Sequence, residues 1–199
     1  MHPPPVRRHF MQGLPPALLL WLACVSWLAP GAALAQGVEL ATLRTSRAEG
    51  ALELEFAARV SLPKPVEDAL RNGVALYFVA EAQLLRNRWY WRDERVARVS
   101  RSWRVAYQPL TGFWRVGLGG LNQTHATLAD ALNAASTSSG WRLAELSQLD
   151  LDKTYYVEFS YRLDTSQLPG PMQFGLGGLG GQGDWAVGVS RVLKVQFNP

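Results

Sequence analysis

Residues 73–120 read GVALYFVAEAQLLRNRWYWRDERVARVSRSWRVAYQPLTGFWRVGLGG, and the parity of this stretch decides the fold. Successive side chains on a strand point to opposite faces. Val74, Leu76, Phe78, Ala80 and Leu84 therefore share one face of a strand over 74–84. Tyr77 and Val79 make the other face partly apolar, which predicts a central strand. Residues 97–107 alternate again, with Val99, Trp103, Val105 and Tyr107 inward and Arg98, Ser100, Ser102 and Arg104 outward. Pro109 to Gly112 makes a turn. Trp114, Val116 and Leu118 form a short returning strand that ends at Gly119-Gly120.

Within this stretch an arginine recurs every third residue: Arg92, Arg95, Arg98, Arg101 and Arg104. A spacing of three alternates sides on a strand and drifts around a helix, so the series is not one basic stripe. Arg98 and Arg104 fall on the solvated face. Arg101 falls on the apolar side, where an unpaired charge is costly. It predicts either an internal ion pair or a contact to a ligand. Trp89, Tyr90 and Trp91, flanked by Arg88 and Arg92, have two readings. They plug a sandwich core at a strand end, or they form a platform that stacks on sugar rings or bases.

The same alternation extends in both directions. Residues 36–45 predict an edge strand, Ala48-Glu49-Gly50 a turn, and residues 52–60 a half-buried strand with Leu52, Leu54, Phe56 and Val60 inward. Pro63-Lys64-Pro65 stops that strand, and residues 66–70 make one or two helical turns ended by Asn72-Gly73. Residues 127–135 are the strongest helix, capped by Thr127 with Asp130 in the first turn. Residues 136–140 read as a loop, and 141–149 fit a strand or a helix. Tyr155, Val157, Phe159, Tyr161 and Leu163 form the clearest strand face. The last strand, 185–197, has an apolar side broken by Arg191, which carries the same two readings as Arg101. About seven strands of period 2, short turns and two small helices predict a mainly all-β fold, an antiparallel immunoglobulin-like β-sandwich.

Residues 1–35 read as a cleavable export signal. Arg7-Arg8 make a basic start, residues 14–28 an apolar core, and Ala33-Leu34-Ala35 a signal-peptidase site with cleavage before Gln36. Residues 36–199 then form one domain in the periplasm. A membrane contact would come only through an uncleaved signal or lipidation at Cys24. Arg7 and Arg8 are the two of the 20 cationic residues that precede Gln36, and all 16 acidic ones follow it, so +4 falls to +2. That charge and compartment argue against nucleic acid. Cys24 is the single cysteine, so the exported domain has no disulfide.

Most enzyme chemistry is excluded by residue type, and a serine with His125 and an acid is the one arrangement left open. His125 is the only histidine after residue 35, in an expected polar loop, so two-histidine and thiolate metal sites cannot form. There is no thiol nucleophile and no Gly-x-Ser-x-Gly motif. The glycine run at 175–183 lacks the Lys-Ser/Thr ending of a phosphate loop and reads as a hairpin loop. No catalytic residue, metal site or cofactor is expected.

Several blocks resemble a known family. They are Leu62-Pro63 with Val66-Glu67-Asp68-Ala69-Leu70, Leu76-Tyr77-Phe78-Val79, Arg88-Trp89-Tyr90-Trp91 with Asp93-Glu94, and Tyr107 with Leu110-Thr111. Gly119-Gly120-Leu121, Thr127-Leu128, Trp141 and Leu163-Asp164-Thr165-Ser166-Gln167-Leu168-Pro169 continue the pattern. The chain resembles domain-of-unknown-function family 4390, exported proteobacterial proteins with proline-rich signal peptides. The resemblance implies no catalytic assignment. It implies an accessory role beside an envelope sensor kinase. From the residues, the expected function is a non-enzymatic binding or interaction module, with an envelope protein or a glycan such as peptidoglycan as partner. The expected binding residues are Trp89, Tyr90, Trp91 and Arg101.

Overall fold

Side-chain alternation becomes two facing sheets. The computed structural model describes residues 37–88, 93–168, 187–195 and 197. The element order is β1 (Val38–Ala48), β2 (Ala51–Val60), α1 (Lys64–Arg71), β3 (Leu76–Arg86), β4 (Glu94–Gln108), β5 (Phe113–Leu118), β6 (Leu121–His125), α2 (Leu128–Ala135), β7 (Thr137–Glu145), β8 (Tyr155–Leu163) and β9 (Gly188–Val195). One sheet has the order β1-β2-β7, the other β6-β5-β4-β3-β8-β9, and all pairings are antiparallel.

This order is that of an immunoglobulin variable-type sandwich. The strands β1, β2 and β7 take the places lettered A, B and E. The strands β9, β8 and β3 take G, F and C, and β4 to β6 extend that sheet outward. The strand that would follow E in the smaller sheet has no counterpart among the described strands. Instead α2 lies against β2, β4, β5 and β6 and covers the apolar side of the outer hairpin.

The core is aromatic where an antibody domain has a disulfide. Phe56 on β2 has Phe159, Tyr161, Trp103 and Trp141 around it, at centroid distances of 4.8, 5.7, 5.9 and 6.2 Å. These rings join both sheets, and tilted and edge-on pairs are favourable beyond their burial. Tyr155 opens β8, and its hydroxyl accepts a hydrogen bond from the backbone N–H of Asp150 at 3.0 Å. That is the tyrosine corner of the immunoglobulin fold, at its usual place between strands E and F.

The helices follow their caps. Pro65 sits in the first turn of α1, where its missing N–H has no intrahelical partner to lose. Thr127 Oγ1 accepts from the Asp130 N–H at 3.1 Å and donates to the Asp130 carboxylate at 2.6 Å, which starts α2.

The structure corrects three expectations and decides a fourth between its two readings. Residues 121–125 are not a loop but β6, and His125 ends that strand. Gly119 and Gly120, at φ 55° and 89°, form the tight turn that lets this polar segment pair with β5. Residues 137–140 belong to β7: the inward residue there, Ser138, is a hydrogen-bonded serine, as is Ser136, the residue just before the strand. Ser136 Oγ donates to the Ala58 carbonyl at 2.7 Å. The ambiguous segment 141–149 is strand up to Glu145, then a 3-10 turn over Leu146–Gln148. Arg191 does share the face of Phe159, as parity requires, but β9 is a sheet edge. Arg191 is therefore exposed and needs no buried partner.

Candidate functional site

The long strand β4 is covered unevenly. Its register with β3 runs from Glu94 to Val105, whereas β5 pairs with it only from Trp103 to Gln108. The tight turn at Gly119-Gly120 ends the β5–β6 hairpin there. Among the described residues, residues 94–102 of β4 thus pair on one side only. Across the sandwich β7 is also an edge, bonded among the described strands to β2 alone. The two sheets stop side by side along this flank, and β4 and β7 touch across it.

Arg101 stands in that flank. It lies opposite Ala80 of β3 and so on the core face, as parity predicts. Its guanidinium crosses to the other sheet, donating to Ser138 Oγ at 2.7 Å and lying 5.2 Å from the Trp141 ring centroid. The expected internal ion pair is absent: among the described residues Arg101 makes no salt bridge. A neutral hydroxyl and an aromatic face hold it instead, because β7 offers no acid at that depth. Burial lowers its pKa below the ordinary arginine value. The group is partly buried, which leaves one side open to the flank.

The outer face of β4 behaves differently. Arg98 pairs with Glu81 at 2.8 Å, and this hydrogen bond holds the Glu81 carboxyl below its usual range. Arg98 on the outward face thus has a carboxylate partner, while the inward guanidinium of Arg101 has none among the described residues. Around Arg101 the core-side residues Ala97 and Val99 are only partly covered. Among the described residues the flank therefore offers a free strand edge, an apolar strip and a cation without a counter-ion.

Trp89, Tyr90 and Trp91 lie outside the described residues, as do the glycine run, Cys24 and the expected signal. The base of the β3–β4 connection is described. Arg86 and Arg88 both donate to the Glu94 carboxylate, and the Tyr156 hydroxyl donates to Asp93. The Asp93 contact pushes the Tyr156 hydroxyl up to about 12. Asp93 and Glu94 thus tie the start of β4 to the end of β3 and to β8. His125 lies opposite Trp114 in the β5–β6 register, and its Nε2 is buried with no hydrogen-bond partner among the described residues.

A second concavity, about 580 Å³, opens between α1, α2 and the end of β2. Val60, Leu62, Leu128 and Leu132 line it, with Arg59 and Glu67 also on its walls. Arg101, the one described residue expected to bind, does not line it. Sequence reasoning missed it because it forms between two helices and a strand end that are far apart in the chain. Among the described residues no three metal-ligating side chains converge.

The family model described as Domain of unknown function (DUF4390) matches residues 35–192. The chain belongs to this family. The DUF4390 region runs from just before β1 into β9, so it contains both sheets and the whole β4–β7 flank. No curated protein and no solved structure matches the chain.

Proposed function

We propose that this DUF4390 protein is exported to the periplasm, cut after Ala35, and acts there as a non-enzymatic interaction module. Its binding surface is the flank where β4 and β7 end the two sheets. One observation carries the reading: Arg101 is held in the flank with its charge unmatched. Burying part of a guanidinium without a carboxylate costs stability. A partner that supplies an anion recovers that cost on binding. The free edge of β4 adds unpaired backbone groups beside it. Trp89, Tyr90 and Trp91 precede this edge in sequence and are of the residue types that dominate interfaces. Export is supported by the Arg7-Arg8 start, the apolar run and the Ala-Leu-Ala site, and by a family match that begins at residue 35.

The test is site-specific photo-crosslinking in cells. A photo-reactive residue replaces Ser100 on β4 or, as control, Lys194 on the opposite edge strand β9; both are exposed. A discrete periplasmic adduct from position 100 and none from 194 is the expected result. Equal labelling at both positions, or none at 100, contradicts the reading.

A further inference from the structure

We infer that the β4 flank takes an extended acidic segment of a partner protein, which adds to the six-stranded sheet as a further strand. This rests on the flank being the binding surface and adds what binds and how.

The backbone sets the mode. An edge strand presents a row of unpaired N–H and C=O groups, and an extended peptide completes it by strand addition. Residues 94–102 are such a row among the described residues. The vacant lane is collinear with β5 and begins where the Gly119-Gly120 turn ends that strand.

The side chains set the chemistry. Directly opposed residues on neighbouring strands have Cβ atoms roughly 5 Å apart. A carboxylate opposite Arg101 would therefore reach the guanidinium, and an apolar residue two places along would cover Val99. Between Arg95 and Arg104 the strand carries four arginines and no acid. Only Arg98 of these has a carboxylate partner among the described residues. This favours an acidic occupant. It also disfavours a second copy of the chain: antiparallel pairing of two β4 edges about Arg98 sets Arg98 against Arg98 and Arg95 against Arg101. Like charges directly opposite destabilise a strand pair.

The probe is a synthetic strand with Glu and Val at alternate positions of one face and Thr between them (Glu-Thr-Val-Thr repeated), with its Lys-for-Glu counterpart as control. The readout is backbone hydrogen exchange of the purified protein. The Glu peptide is expected to slow exchange within residues 94–102, while the Lys peptide does not. Arg101→Gln should weaken binding about tenfold, the worth of one charge-assisted hydrogen bond. Arg101→Lys should retain part of it, and an unchanged melting temperature in both variants separates lost binding from lost folding. Binding that protects other strands, or equal binding of the Lys peptide, overturns strand addition. So does an absence of protection at millimolar Glu peptide. If crosslinks at position 100 persist in that case, only the strand-addition mode falls; if they too are missing, the flank reading falls with it.

Discussion

Arg101 shows how a single residue can be placed by parity and still be misjudged in its partner. Alternation through Val99, Trp103 and Val105 put it on the core face. Its neighbour there, however, comes from β7, which is distant in sequence and was not recognised as a strand at Ser138. A neutral hydroxyl at 2.7 Å and an indole face replaced the expected acid. Tyr161 is a buried group of the opposite sort. Its hydroxyl donates to the Ala135 carbonyl at 3.1 Å, and burial pushes its pKa well above the ordinary value. The folded chain keeps the Tyr161 proton while the unfolded chain releases it near pH 10. The stabilisation is therefore complete below about pH 10 and is lost as pH rises above it. Denaturant unfolding between neutral and strongly alkaline pH should show this loss. In Tyr161→Phe the fall should be shallower by up to about 1.4 kcal/mol per pH unit. An identical slope in the variant would show that Tyr161 does not drive it.

At the level of elements, the corner between β7 and β8 fixes how the chain crosses from one sheet to the other. The Tyr155 hydroxyl satisfies the Asp150 N–H. Tyr155→Phe leaves that donor without its partner and should cost about 1–3 kcal/mol in unfolding free energy, with native spectra retained. A loss below a few tenths would remove the corner from the account. Elements with apolar alternation were legible in the sequence. The inward faces of β2, β3 and β8 fell where Leu54, Phe78 and Phe159 put them, and Thr127 marked the start of α2. The segments that were missed lacked that signal. Leu121–His125 is a strand because a two-glycine turn folds it onto β5, not because it buries a face. Thr137–Glu145 is entered through Ser136 and Ser138, whose inward hydroxyls are satisfied by the Ala58 carbonyl and by Arg101. Period-2 hydrophobicity cannot report polar residues that point inward. For the same reason the flank, the only part of the candidate site that the described residues contain, was half legible: Arg101 was found and its setting was not.

For the molecule as a whole, the variable-type order of strands explains why a flank is open. The larger sheet extends through β4, β5 and β6, but the smaller one stops at β7. Helix α2 covers the upper part of the overhang, against Trp114 and Val116, and leaves residues 94–102 beyond it without a strand neighbour on that side among the described residues. Core cohesion does not depend on this region, since the ring cluster around Phe56 ties the sheets together. Arg101 can thus be held at some cost to stability, as residues kept for binding often are. The most direct test measures stability and capture together in Arg101→Met/Ser138→Ala. Replacing both hydrogen-bonded partners with apolar groups is near neutral or stabilising when the pair itself contributes little. The account predicts an unfolding free energy within about 1 kcal/mol of the parent, or above it, together with loss of the crosslinked adduct at position 100. A variant that captures its partner as well as the parent does would contradict it.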